Sequence, residues 1–334
     1  MSAYDVYALG NALVDMEFTV DDGFLRRHRV DKGHMTLVDE ARIDELLTNL
    51  RDLEPKRTSG GSAANTLIAA HAFGCRTFYS CKVADDDVGQ FFLKDLATIG
   101  VTTNRQKATE DAKSGRCLVL ITPDAERSMS TFLGISDKLA VSEVDERALR
   151  ESRYLYMEGF LSSSPTGRDA AIRCRELAES DGIKTAMTLS DASMVRIFRE
   201  HLTAMLGNGV DHLFCNEEEA LDWAGTDRLD IAVAELKDIA RSVNITVGAR
   251  GSVVIDGHDR WEVAGFPVTP IDTNGAGDIY SGACLAGWTA GMPPQVAARF
   301  GNFAAARLIT RYGARLATKA DYQSVLDDFR KLPA

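Results

Sequence analysis

Short apolar runs alternate with longer amphipathic ones along most of this chain, which predicts an α/β protein: a mostly parallel central sheet covered by helices on both faces. Two further features sharpen that reading. Glycine-rich junctions follow several strand-like runs, the place where open α/β sheets bind their ligands. Two stretches break the alternation and suggest a second, smaller sheet.

The strand-like runs are Val6–Leu9, Thr77–Val83, Tyr154–Met157, Thr185–Leu189, His212–Cys215 and Ile245–Val247. Each is short and apolar, and amphipathic segments of about 10 to 20 residues separate them, the pattern of βαβ units. The exceptions run from about Asp15 to Leu37 and from about Ser114 to Phe132. In the second, Gly115–Thr122 and Arg127–Phe132 read as strands joined by the turn Pro123-Asp124-Ala125-Glu126. Together the stretches 15–37 and 114–132 are expected to form a small antiparallel lid on a single domain spanning 1–334.

A chain of 334 residues, 45% hydrophobic and 26% charged with only 8 prolines, buries an ample core and is expected to fold throughout. A net charge of −11 argues against nucleic-acid or anionic-membrane binding, so any anion site has to be local. The six cysteines are scattered, with no Cys-x-x-Cys pair and no paired histidines to suggest zinc, and read as reduced core residues. Met1-Ser2-Ala3-Tyr4-Asp5 begins no signal-like pattern, and no run approaches the roughly 20 apolar residues of a membrane span. The cytoplasm is therefore the expected compartment.

Gly10-Asn11-Ala12-Leu13-Val14-Asp15 follows the first strand without the Gly-x-Gly-x-x-Gly spacing of a dinucleotide site. Asn11 and Asp15 put polar groups at a strand end, where a carboxylate suits either a turn or the two hydroxyls of a vicinal diol. Ser59-Gly60-Gly61-Ser62-Ala63-Ala64-Asn65-Thr66 leads into a helical run. Its paired glycines let a ligand lie on bare backbone with Asn65 one turn in, or simply give a flexible N-cap. Asn216-Glu217-Glu218-Glu219 reads as an acidic first helical turn. Beside a phosphate, Asn216 and Glu219 also suit a hydrated Mg²⁺, which needs only one or two protein carboxylates. Thr246-Val247-Gly248-Ala249-Arg250-Gly251 offers a hydroxyl and two glycines at another strand end, a bed for phosphate or ribose or an ordinary turn.

The most informative junction comes late, at Pro270-Ile271-Asp272-Thr273-Asn274-Gly275-Ala276-Gly277-Asp278-Ile279-Tyr280-Ser281-Gly282. Small residues before a helix leave its first backbone N–H groups free to close around an anion, aided by a partial charge of roughly half an electron unit. Asp278 either complements that dipole or serves as a base, accepting a proton while a phosphoryl group moves nearby.

In this order, Gly60–Asn65, Asn216–Glu219, Thr246–Gly251 and Asp272–Asp278 resemble the ribokinase-like (PfkB) family of carbohydrate and nucleoside kinases, over nearly the whole chain. The resemblance implies an αβα sandwich with a small β lid, ATP as donor, Mg²⁺, and transfer of the γ-phosphoryl group to a substrate hydroxyl. It matches Asp278 to the catalytic base and Gly275, Ala276 and Gly277 to the anion hole, with Arg127 reaching in to stabilise phosphate charge when the lid closes. Asn11, Asp15, Gly60, Gly61 and Asn65 fall at substrate-binding positions. Asn216, Glu219, Thr246, Gly248, Gly251, Asn274 and Asn302 fall along ATP, Glu219 meeting Mg²⁺ directly or through water, and Asp272 is matched to a monovalent cation such as K⁺.

Within the family, Gly10–Asp15 and Arg127–Leu133 look most like adenosine kinases. That implies a nucleoside 5′-hydroxyl as acceptor, adenosine giving AMP, with Met129, Leu133 and Phe160 against the base; packing beneath a lid accounts for the same apolar side chains. A free sugar such as ribose or fructose is the alternative acceptor. Asn274 stands where the family often has Thr, and Met187–Asp191 has no role that its residues suggest. P-loop and protein-kinase motifs are absent. An open lid edge would permit a homodimer, while the resemblance points to a monomer.

Overall fold

The computed structural model describes residues 2–104, 112–124 and 126–333, and it is built on a nine-stranded sheet. The strand order is Asp259–Ala264, Gly251–Asp256, Ala240–Thr246, Val210–Asn216, Lys184–Thr188, Ser152–Glu158, Tyr4–Leu9, Thr77–Ser80 and Thr102–Thr103. The seven strands from Ala240–Thr246 onward are parallel, and the first two form an antiparallel edge. Every strand-like run of the sequence falls on one of these elements, with ends shifted by a few residues.

The first strand shows why the runs look continuous. Val6 and Ala8 enter one core and Tyr7 and Leu9 the other, all with no exposed surface. A strand buried on both faces has no polar side to alternate with. Helices Ser62–Ala72, Ala276–Thr289 and Pro294–Leu308 cover the first face, and Pro165–Asp181 and Ala192–Leu206 the second. Local chemistry sets their ends: Pro165–Asp181 starts at a Ser164 cap with Pro165 in the first turn and stops at Gly182 in the left-handed region.

Helices Ser62–Ala72 and Ala276–Thr289 lie unusually close. A Cβ on Gly282 would stand 2.5 Å from the Thr66 carbonyl oxygen, so only a bare backbone fits there. That approach sets the two helix starts side by side.

The second sheet has the order Met35–Leu37, Arg127–Phe132, Gly115–Ile121, Leu13–Thr19 and Lys56–Gly60. The stretches read as a lid supply four of these five strands; Ala125 of the expected turn lies outside the described residues. The sheet is mixed rather than antiparallel, because Leu13–Thr19 runs parallel to Gly115–Ile121, and Met35–Leu37 parallel to Arg127–Phe132. Strands Thr102–Thr103, Gly251–Asp256 and Asp259–Ala264 of the large sheet escaped the sequence reading, as did two elements in this part of the chain. The strand Lys-Arg-Thr-Ser-Gly at 56–60 carries no apolar residue to mark it, and Asp22–Arg27 is a helix, capped by Asp21 and burying Phe24 and Leu25, too short to show a period.

All six cysteines are buried and unpaired. Among the described residues no helix is long and apolar enough to cross a membrane.

Candidate active site

The chain's opening strand ends at Leu9, and residues 10–12 lead straight into the second sheet, so the two sheets join at the carboxyl end of a central strand. Three of the junctions meet there: the 10–12 turn, Ser59–Asn65 and, through Asp278, the 275–278 loop. Gly61 adopts φ +100, and a Cβ on it would overlap the Asn11 carbonyl oxygen, so glycine is what lets the first turn of Ser62–Ala72 rest against the 10–12 turn. Asp15 and Gly60 meet across the paired strands; a Cβ at Gly60 would lie 2.6 Å from the Asp15 carboxylate. Asn11, Asp15, Gly60, Gly61 and Asn65 thus come together along one wall.

Asp278 faces that wall from the first turn of Ala276–Thr289. Its Oδ1 accepts a hydrogen bond from Ser62 Oγ at 2.7 Å, and its Oδ2 accepts one from Asn65 Nδ2 at 3.3 Å. Burial raises its carboxyl to about 6, against the pull of those two donors. Asp15 is raised to about 7, chiefly by burial, with Arg315 and Arg127 opposing and Glu17 and Asp278 adding to the rise. Asn65 Oδ1 is buried and has no partner, an acceptor that a substrate hydroxyl would satisfy.

The loop before Asp278 has the form of an anion cradle. Gly275 caps the helix at φ +73, where a Cβ would overlap the Ala314 carbonyl oxygen. The N–H of Ala276 turns back to Thr273 O at 3.2 Å, while among the described residues those of Gly275, Gly277 and Asp278 donate no hydrogen bond. A Cβ at Gly277 would meet nothing within 4 Å, so open space lies over those amides.

Arg127 and Asp272 are engaged with each other. Arg127 Nη2 donates to Glu17 Oε1 at 2.9 Å, and its Nη1 lies 3.3 Å from Asp272 Oδ2, a bridge from the second sheet to the cradle loop. Asp272 also accepts from the backbone N–H of Asn274 at 3.0 Å and of Gly313 at 2.9 Å, so the carboxylate matched to a monovalent cation already braces the loop. Asn274 itself is exposed at the cradle's rim.

The positions matched to ATP are less uniform. Asn216 and Glu219 form a reciprocal capping box: Asn216 Oδ1 accepts from Glu219 N at 2.8 Å, and Glu219 accepts from Asn216 N and Nδ2 at 3.2 and 2.6 Å. Burial raises Glu219 to about 7. With both of its oxygens occupied, a Mg²⁺ would meet this pair through water. Thr246 ends the neighbouring strand opposite Asn216. Gly248 opens the turn that follows, and Gly251 closes it against its own sheet, beside Val263 and Gly265. Asn302 is buried, its Nδ2 donating to Ser252 Oγ and to the carbonyls of Val263 and Ala264, which fixes the antiparallel edge to helix Pro294–Leu308.

Met129 and Leu133 are half-buried and belong to neither core, whereas Phe160 packs against the second core just after strand Ser152–Glu158. Met187–Asp191 turns out to be structural. Ser190 sits at φ +73 and its Oγ accepts from Gly159 N at 2.8 Å, and Asp191 caps Ala192–Leu206. Sequence reasoning missed Ser62 as a partner of Asp278, and missed Glu158, a carboxylate with no exposed surface at the same strand ends. A charged residue closing an apolar run, as in Tyr156-Met157-Glu158, was the available signal.

The pfkB family carbohydrate kinase profile matches residues 35–321. An adenosine kinase from Saccharomyces cerevisiae is 28% identical over 330 residues, covering 91% of this chain and 94% of that protein. The crystal structure of adenosine kinase from Sinorhizobium meliloti superimposes with a TM-score of 0.87 at 33% identity, over 97% of this chain and 99% of that one. A probable sugar kinase from Rhizobium etli CFN 42 does so with a TM-score of 0.88 at 29% identity, over 98% and 100%.

Proposed function

This chain belongs to the pfkB carbohydrate kinase family, and we propose that it transfers the γ-phosphoryl group of ATP to the 5′-hydroxyl of a nucleoside, with adenosine as the preferred acceptor and AMP as product. The observation that carries the reading is the meeting of Asp278, held by Ser62 and Asn65, with a helix start whose amides at 275, 277 and 278 donate no hydrogen bond among the described residues.

In this reading Asp278 takes the proton of the attacking hydroxyl, a role that suits a carboxylate raised toward neutrality. Asp15, Asn11 and Asn65 hold the ribose hydroxyls. The free amides of the cradle hold charge on the transferring phosphate. Asn216 and Glu219 would meet Mg²⁺ through water, and the ion, when bound, would neutralise phosphate charge. The second sheet acts as a lid that excludes water as a competing acceptor. Met129 and Leu133, half-buried and outside both cores, support a base-binding slot, and the similarity to adenosine kinases favours a nucleoside.

The likeness to a probable sugar kinase supports a second reading, in which the acceptor is a free sugar such as ribose. A coupled assay with ATP and Mg²⁺ across adenosine, inosine, guanosine, ribose and fructose, run in potassium and in sodium, decides between them. Turnover of adenosine at least tenfold above ribose is expected; transfer to ribose but not to adenosine would overturn the nucleoside reading.

A further inference from the structure

We propose that Glu158 is a positioning residue that clamps two walls of the site together and thereby sets Asp278 in place. It ends a central strand and has no exposed surface, so it reaches no substrate directly. Its Oε1 accepts from the backbone N–H of Asn11 at 2.6 Å and its Oε2 from that of Ala63 at 2.8 Å. The first amide belongs to the turn at the end of strand Tyr4–Leu9, the second to the first turn of helix Ser62–Ala72.

The clamp is braced on both sides. Tyr79 Oη donates to the Asn11 carbonyl at 3.0 Å, so Asn11 is held at both its backbone N–H and its C=O. A Cβ at Gly10 would stand 2.6 Å from the Glu158 carboxyl carbon, so the turn rests on the carboxyl itself. Ser62, one residue from the clamped Ala63 amide, is the donor to Asp278 Oδ1. The line Glu158–Ala63–Ser62–Asp278 therefore runs from a buried charge to the proposed base. A carboxylate is suited to this position because it accepts at both oxygens, and two unmatched amides would be left if it were removed. Burial opposes the charge and lifts this carboxyl to about 7, while the two amide donors pull it down. A group held against that penalty by two backbone donors is an ordered part of the site.

The inference rests on the kinase reading, and its test has an arm that does not. Glu158→Gln keeps the shape but turns an NH₂ donor toward one of the two amides. Hydrogen exchange should then show faster exchange at Asn11 or Ala63 than in the wild type, and wild-type protection at both would overturn the clamp whatever the activity. In kinetics, kcat should fall about 10- to 100-fold, the scale for a misplaced reacting group, with the KM for ATP within twofold. Combined with Ser62→Ala the losses should be less than multiplicative, because both act through Asp278. Unchanged kcat, or independent multiplication of the two effects, would remove Glu158 from the positioning role. If Glu158→Gln does not fold, Gly10→Ala displaces the same carboxyl from the other side and is read by the same exchange and kinetic arms. A wild-type protein that phosphorylates no acceptor sinks the kinase reading, and the exchange arm still judges the clamp.

Discussion

Ser62 Oγ donates to Asp278 Oδ1 at 2.7 Å although 216 positions separate the two residues in sequence. The bond joins the first turns of two helices that come within backbone contact at Gly282 and Thr66. It orients a carboxylate beside amides that, among the described residues, donate no hydrogen bond.

Replacing Asp278 by Asn keeps the side-chain size and the Ser62 contact while removing the proton acceptor. The variant should fold and bind ATP and acceptor with near-native affinity by calorimetry, and lose about 10²- to 10⁴-fold in kcat, the range for a positioned general base. Turnover within threefold of wild type would take Asp278 out of that role.

The cradle separates space from strain. Gly277→Ala projects into open space and should leave the melting temperature unchanged while lowering kcat or raising the KM for ATP, because the methyl group covers the amides. Gly275→Ala must hold φ near +73 against the Ala314 carbonyl, and should cost more than about 1 kcal/mol in urea unfolding. Equal unfolding midpoints for the two variants would contradict this division.

Stability and activity should respond to pH in opposite directions. Burial raises Asp15, Glu158 and Glu219 to about 7, whereas unfolded carboxyls titrate near 4. Between pH 8 and 6.5 the folded state therefore takes up protons that the unfolded chain does not, so stability rises as pH falls through this window. In the proposed mechanism an ionised Asp278 accepts the proton, and burial raises its carboxyl to about 6, so kcat/KM should decline below about pH 6. Scanning calorimetry at pH 8 and 6.5, beside a pH–rate profile, checks both; a lower melting temperature at pH 6.5 contradicts the first half.

Arg127 links the second sheet to the cradle loop through Glu17 and Asp272, whose side chains are 15% and 9% exposed. Arg127→Met leaves two mostly buried carboxylates short of a partner. About 3 kcal/mol of stability should be lost, the low end for a broken buried pair, because Lys56 still reaches Glu17 and two amides still serve Asp272. Denaturant unfolding measures it, and a loss below about 1 kcal/mol would mean that the bridge contributes little.

What could be read beforehand, and what could not, follows from how far each signal reaches along the chain. Val6–Leu9 and its companions were visible because double burial makes a strand apolar over its whole length. The junction at Gly275–Asp278 was visible because a helix start that leaves amides free needs small residues in sequence. Lys56–Gly60 was invisible, since it is held by pairing with Leu13–Thr19 rather than by its own side chains. Ser62 and Glu158 act through partners 216 and 95 to 147 positions away, and no local pattern announces such contacts. Asn302 shows a further limit: the resemblance matches it to the ATP site, and no local pattern announces that its amide hydrogens serve Ser252, Val263 and Ala264.

The burial of all six cysteines has a practical consequence. Burial lifts the thiols of Cys75 and Cys117 to about 11 and 12 and pushes the other four higher than an ordinary thiol, so at neutral pH none offers a thiolate to an electrophile. The natural sequence is thus a silent background for maleimide chemistry. Dyes attached to cysteines introduced at exposed Met35 on the small sheet and exposed Ile197 on the helical layer would report, by energy transfer, the distance between those two parts of the molecule as ligands are added.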